Sequence, residues 1–365
     1  MGFEIILLVV LVALVFEYIN GFHDTANSIA TVVATKVLTP RQAILLAAVT
    51  NLLGALWGTA VAKTIASGLV DAKAVTQGVI ACALLGGIVW NLLTWYYGMP
   101  SSSTHAMVGG LVGATLASTH NNWGAIIWSQ PDAQHWWKSK GLLWKVFVTM
   151  ITSPIIGLVF AFLVMGVLYF MLRNWKPHWV NNVFGRMQLA SSAAMGFMHG
   201  TNDAQKTMGI IALALVAGTS TGAFDKAPEW MGFLKTYKPE KGDIEIALWI
   251  KIVCALTMCA GTAAGGWRII KTLGQKMVKL QPVHGFAAET VAAAVLLTTG
   301  KLGIPVSTTH NISAAIMGVG AAKRLNAIKW SVVERMVWAW ILTIPASALV
   351  AYLLVRGLQV AGGMK

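Results

Sequence analysis

The chain is predicted to be an all-α polytopic membrane protein: two inverted repeats of about five membrane segments each, with broken helices and candidate re-entrant hairpins. Three observations predict this. Of its 365 residues, 56% are hydrophobic and 11% charged, where a soluble domain carries about 25% charged residues. Apolar stretches of roughly 20 residues recur along the whole length, each enough to cross a bilayer core as a helix. Two polar motifs also occur twice, in the same order. Asn20-Gly21-Phe22-His23-Asp24-Thr25-Ala26-Asn27-Ser28 is echoed by His199-Gly200-Thr201-Asn202-Asp203-Ala204-Gln205-Lys206-Thr207. Pro100-Ser101-Ser102-Ser103-Thr104-His105 is echoed by Pro305-Val306-Ser307-Thr308-Thr309-His310.

The first half, 1–175, places segments near 3–35, 42–62, 75–98, 100–118 and 143–172. A polar linker over 176–182 leads into the second half, 183–365, with segments near 184–218, 245–266, 282–300, 303–322 and 331–357. The Asp-to-His interval is 105 − 24 = 81 residues in the first half and 310 − 203 = 107 in the second. The difference fits an extended polar loop over 219–244, where insertions are tolerated. The N-terminal apolar run has no basic start and no small-residue cleavage site, so it is expected to remain as a permanent span.

Net charge is +14, yet Lys and Arg lie in short connections and not in a patch interleaved with aromatics. That pattern is the positive-inside bias of a membrane protein and argues against nucleic acid as a partner. The bias also changes sides. Lys36 and Arg41 stand unopposed at 36–41, whereas 219–245 carries four basic and five acidic residues. Arg268, Lys271, Lys276 and Lys279 are unopposed, whereas 63–73 has Lys63, Asp71 and Lys73. An odd number of crossings per half explains the swap and puts both termini outside; 100–118 and 303–322 either cross or re-enter. Trp123, Trp128, Trp136, Trp137 and Trp144 crowd one connection, as headgroup-level indoles do. Cys82, Cys254 and Cys259 sit in apolar runs with no metal-ligand spacing and read as small buried hydrophobes.

An ionisable residue inside a membrane span is costly and functional by default. Asp24 lies in the first span after Asn20-Gly21, a pair expected to break the helix. Asp24, Asn27 or Ser28, Thr31 and Thr35 then recur at helical spacing as one polar stripe. Asp203, Lys206 and Thr207 repeat the arrangement, with Thr25 and Asn202 alongside. A single Asp could cap a helix at the surface; two equivalent ones point to discontinuous helices around a transport site.

The Pro-Ser/Thr-His elements read as helix starts: proline enters, hydroxyls cap, and Gly109, Gly110, Gly113, Gly318 and Gly320 follow. A helix N-terminus with free amides is an anion site, and the hydroxyls of Ser101, Ser102, Ser103, Thr104, Ser307, Thr308 and Thr309 add neutral donors. His105 and His310 either steady these turns or titrate. His23 and His199 have no equivalents in the opposite half and are weighted less. Glu289 stands sixteen residues before Pro305, where the first half has Leu84 before Pro100. Asn91 is a further intramembrane polar residue. Asp24, Asp203 and Glu289 bring three negative charges against Lys206, so an anion needs cations or protons as companions.

These four motifs together resemble the inorganic phosphate transporter (Pit) family, with its repeated Gly-Ala-Asn-Asp-type signature, over nearly the whole chain. The resemblance implies phosphate symport, an inverted-repeat helical fold, and substrate and cation sites where the motifs of both halves meet. Gly21-Phe22-His23-Asp24-Thr25-Ala26-Asn27 and Gly200-Thr201-Asn202-Asp203-Ala204-Gln205-Lys206 look like the bacterial low-affinity branch, which is proton-coupled and associated with metal–phosphate complexes. The sodium-coupled branch usually keeps Ala-Asn where this chain has Gln205-Lys206, so the expected coupling ion is H+, with Na+ as the alternative. The expected substrate site is Ser101, Ser102, Ser103, Thr104, Ser307, Thr308, Thr309, Gln205 and Lys206. The expected coupling set is Asp24, Asn27, Asp203, Asn202 and Glu289, supported by His105, His310, Asn91, Thr25, Ser28 and Thr207. No metal or cofactor is expected beyond the coupling ion. The partners are phosphate and the bilayer of a bacterial inner membrane, and a homodimer is left open. Sulfate permeases of the same family and a passive anion channel are the rival transporters. A Ser-His-Asp hydrolase is the rival enzyme, and it would need only one copy of each motif.

Overall fold

The structure, a computed structural model, describes residues 3–67, 69–70, 75–132, 139–225, 227–237 and 244–362. Trp136, Trp137, Asp71 and Lys73, which entered the sequence argument, lie outside the described residues, as do Lys226 and 238–243 of the expected 219–244 loop.

Twelve α-helices are present among the described residues. The first half contains α1 (Phe3–Ala34), α2 (Pro40–Ala55), α3 (Ala60–Ser67), α4 (Gln77–Tyr97), α5 (Ser103–Ser118) and α6 (Val148–Leu172). The second contains α7 (Pro177–Ser220), α8 (Leu248–Ala264), α9 (Trp267–Lys271), α10 (Pro282–Lys301), α11 (Thr308–Lys323) and α12 (Trp330–Val360). Taken in order, α7 to α12 repeat α1 to α6. Five helical stretches are long and apolar enough to cross a membrane, and up to seven if each bent pair is one span. The multi-pass membrane fold follows directly.

Local sequence explains most boundaries. Thr39 caps α2 in a capping box with Gln42, and Pro40 occupies its first turn, where a missing N–H costs nothing. Gly98, at φ 64°, closes α4 in the left-handed region. Ser102 and Ser307 cap α5 and α11 by accepting from the amides of His105 and His310 at 3.2 and 3.1 Å. The two helices are each 16 residues long, about 24 Å, short of the roughly 30 Å hydrocarbon core.

The broken helices are real but are not where the Asp motifs are. α1 and α7 run without interruption through Asp24 and Asp203. The chain bends instead by 69° between α2 and α3 and by 60° between α8 and α9, where Gly58 and Gly265 have φ of +81° and +72°. The motif glycines serve a different purpose. A Cβ on Gly21 would lie 2.6 Å from the Met258 carbonyl of α8, and one on Gly200 would lie 2.2 Å from the Asn51 carbonyl of α2. Gly261 and Gly54 make the reciprocal close approaches. Small residues of this kind let membrane helices touch backbone to backbone.

Packing repeats across the halves. α1 packs on α8 as α7 packs on α2, and α5 on α12 as α11 on α6. Each capped short helix therefore leans on the closing helix of the other half, so the two copies interlock. Exposed Ile151, Ile155, Phe160 and Phe170 of α6, with Trp338, Ile341, Leu349 and Leu353 of α12, form an apolar outer surface suited to lipid. Of the linker expected at 176–182, residues 177–182 are helical, because Pro177 opens α7 in its first turn after an extended Lys176. Within 219–244, α7 reaches Ser220, and a 3₁₀ turn over Glu229–Leu234 buries Leu234.

Candidate functional site

The four motifs converge. α1 and α7 bring Asp24 and Asp203 together at the centre, both almost wholly buried, and the starts of α5 and α11 meet them. Ser103 Oγ donates to Asp24 Oδ2 at 3.1 Å, and Thr308 Oγ1 donates to Asp203 Oδ2 at 3.3 Å. Each half thus fastens its own capped helix to its own carboxylate. Thr309 then crosses the divide, donating to Asp24 Oδ1 at 3.3 Å. Asn27 crosses it as well, with Nδ2 donating to Thr308 and Thr309 at 3.2 and 2.9 Å.

Lys206, the counterpart of Asn27, makes no such crossing. Its ammonium donates to Asp203 Oδ1 at 2.5 Å, one turn back on the same helix, and both side chains are buried. A charge-assisted bond in a low-dielectric centre is strong, and it gives the second half a cation of its own.

Each carboxylate also has an imidazole, reached by a different route. His23 Nδ1 stands 2.8 Å from Asp24 Oδ1, with Nε2 3.1 Å from Thr94 Oγ1. His199 Nε2 stands 3.3 Å from Asp203 Oδ2, with Nδ1 3.1 Å from Asn51 Oδ1. Asn51 in turn donates to Thr262 Oγ1 at 3.1 Å, tying His199 to α2 and α8. The two histidines have no sequence counterparts, yet each stands beside the carboxylate of its own half.

Asp24, His199 and Asp203 each offer an atom within 4.8 Å of the others, so a cation could in principle be shared there. Lys206 already places a positive charge on Asp203, which opposes a divalent ion by Coulomb repulsion. At the same centre, the first turns of α5 and α11 bring the hydroxyls of Ser103, Thr308 and Thr309 onto the two carboxylates. Two buried carboxylates and two capped helix starts are thus side by side.

Residues 20–351 match the phosphate transporter family PHO4. The chain belongs to that family. A probable low-affinity inorganic phosphate transporter of Bacillus subtilis is 42% identical over 94% of this chain and 93% of its own length. A similarly described protein of Rhizobium meliloti is 41% identical over 97% and 96%. A solved structure described as the sodium-dependent phosphate transporter shares the fold, with a TM-score of 0.79 over 98% of this chain and 99% of that one, at 23% identity. The family is one of transporters, so the hydrolase reading falls.

Within this phosphate transporter fold, several sequence-predicted residues take positions outside the centre. Gln205 does not point at it: its Oε1 accepts from the amides of Val61 and Ala62 at 2.8 and 3.3 Å, capping α3. Asn202 Nδ2 donates to the carbonyls of Met198 and Leu296 at 2.9 and 3.1 Å, joining α7 to α10. Thr25 Oγ1 donates to Gly21 O at 2.6 Å. Thr104 Oγ1 reaches only the Val306 carbonyl, at 3.4 Å, whereas Ser101 Oγ stays at the edge of the centre, 2.8 Å from Thr94 Oγ1 and 3.4 Å from His23 Nε2. Ser28 and Asn91 are buried without side-chain partners among the described residues. Glu289 of α10 receives Thr31, Ser191 and Gln188, Thr31 being two helical turns along α1 from Asp24. His105 and His310 meet edge to face, 4.9 Å between centroids, and His310 stacks on Trp340 at 4.1 Å. They pack the second motifs together where the halves meet.

Sequence reasoning missed Glu17, Asn51, Thr262 and Gln188. Glu17 had a usable signal: it is an acid inside the first span, seven residues before Asp24, on the same helix face. Asn51 and Thr262 had none, since their partners are on distant segments.

Proposed function

We propose that this protein is a secondary active symporter that carries inorganic phosphate into the cell across a bacterial plasma membrane, coupled to H+. The observation that carries the reading is the Lys206–Asp203 pair at the centre of the site. In a sodium symporter, dissolved cations balance the central carboxylates. Here a resident ammonium holds one of the two positions, so one half-site has no need of Na+. A proton is then the simplest companion for the anion. The low-affinity phosphate transporters at 41–42% identity support phosphate as the substrate. The inverted arrangement of the halves is supported by the matched helix pairings and by the swap of basic connections.

A sodium-coupled reading has one observation in its favour. Asp24, with Ser103, Thr309 and Asn27 around it, is an oxygen-rich half-site of the kind a hard cation accepts. The deciding experiment is uptake of labelled phosphate into proteoliposomes, with H+ and Na+ gradients imposed separately, with and without Mg2+, and with sulfate as competitor. One proton per phosphate lets an inward gradient of one pH unit sustain about tenfold accumulation. Uptake that follows only the Na+ gradient would overturn proton coupling, equilibration without accumulation would indicate a channel, and transport of sulfate without phosphate would overturn the substrate.

A further inference from the structure

We infer that Glu17 is a proton-binding residue of the transport site, the carboxyl on which the coupling proton travels. The inference rests on the H+-coupled reading above and says where that proton sits.

Glu17 lies on α1 two helical turns before Asp24, which puts both side chains on the face that meets α7. Its side chain has no solvent exposure. Oε2 accepts from Thr207 Oγ1, the residue directly after Lys206 on α7. Oε1 has no partner. One turn on, Asn20 Oδ1 is a second buried acceptor without a partner. A buried acceptor left unpaired is costly. A proton on Oε1 turns the carboxyl into a donor within one turn of that amide oxygen.

Glu289 is the natural control. It is as deeply buried, but its oxygens receive hydrogen bonds from Thr31, Ser191 and Gln188. That carboxylate is fully met by fixed donors, whereas Glu17 has one donor and an open oxygen. Neither acid is part of the repeat: Leu84 stands opposite Glu289, and Gly196 stands opposite Glu17. An asymmetric acid beside one half-site suits a coupling proton, which has to be handled once per cycle.

The charged and titratable groups near Glu17 are Asp203 and Lys206 from α7 and Cys254 from α8, and Asn20 on its own helix adds a neutral amide. Its position therefore links it electrostatically to the Lys206–Asp203 pair. Binding is a plain proton transfer: a proton from water on one side adds to the carboxylate, and the carboxyl returns it to water on the other. The site's charge rises by one while the anion is carried and falls again on release.

The test is Glu17→Gln, which keeps the shape and the acceptor for Thr207 but cannot release a proton. Wild type and variant are reconstituted in proteoliposomes, and two quantities are read. The first is phosphate accumulation under an inward gradient of one pH unit. The second is exchange of labelled for unlabelled phosphate with no gradient, measured across pH. The expected variant loses the roughly tenfold accumulation available from one proton yet still exchanges phosphate, with the wild-type pH dependence of exchange flattened. Persisting proton-driven accumulation in the variant would overturn the inference. Loss of exchange together with accumulation, in a protein that still migrates as a folded species, would overturn it too, in favour of a packing role. If wild type itself ignores the pH gradient, the coupling reading fails, and that result is distinct from a failure of Glu17 alone.

Discussion

The Asp24 half-site and the Asp203 half-site are built from the same parts, and they are finished differently. Both carboxylates are held by a hydroxyl from the capped helix of their own half, and both have an imidazole within 3.3 Å. The difference in charge lies three positions on. Asn27 reaches across to Thr308 and Thr309, so the Asp24 side is stitched to the other half by neutral hydrogen bonds. Lys206 turns back to Asp203, so the Asp203 side is electrically self-contained. A duplicated scaffold thus carries one half-site tied by neutral hydrogen bonds and one tied by a buried ammonium.

The comparison can be broken most severely at Lys206. Lys206→Met leaves Asp203 buried without its cation, and removing one partner of a buried pair costs about 3–5 kcal/mol. Thermal unfolding in detergent should show that loss, with uptake abolished. Asn27→Leu should cost less, because it removes neutral hydrogen bonds and strands no charge.

The motif glycines come next. Gly21→Ala and Gly200→Ala would press a methyl to within 2.6 and 2.2 Å of carbonyls on α8 and α2, and overpacking of this kind costs about 1–3 kcal/mol. Gly166→Ala, with nothing within 4 Å of the added carbon, should hold or gain up to about 1 kcal/mol. If all three behaved alike in thermal unfolding, the close helix crossings would be wrong.

Thr309 and Thr104 occupy equivalent positions but are not equivalent. Thr309→Val deprives Asp24 and Asn27 of a shared partner, a loss of about 1–2 kcal/mol or roughly tenfold in phosphate uptake at low substrate. Thr104→Val removes one long bond to Val306 O, 3.4 Å, and should change uptake far less. The smallest effect is expected at Gln205, opposite Ala26. Gln205→Ala removes a cap on α3 and should lower stability by about 1 kcal/mol while leaving the KM for phosphate unchanged.

Much of this was legible in the sequence, and the parts that were not share a cause. Composition and apolar run length identify a multi-pass helical protein without help from tertiary contacts. The duplicated motifs point to the site because chemistry-bearing residues at repeated spacing carry their meaning locally. What misled was also local. Asn20-Gly21 reads as a helix break, yet the glycine serves a helix crossing decided by α8, more than two hundred residues away. Gln205 reads as a ligand because it sits between Asp203 and Lys206, but on a helix it points to α3. Asn51 and Thr262 hold His199 through partners no window could connect. Glu17 was legible, as an acid inside the first apolar span on the helix face of Asp24.

The most direct test exchanges the residue that gives one half-site its own cation. Phosphate uptake is measured in proteoliposomes of wild type and Lys206→Asn, under separate Na+ and H+ gradients. Wild type should accumulate phosphate with the H+ gradient and ignore Na+. The variant, with an amide on both sides, should lose proton-driven accumulation and acquire a dependence on Na+. Wild-type accumulation driven by Na+ and indifferent to the pH gradient would contradict the claim that Lys206 stands in for the second cation.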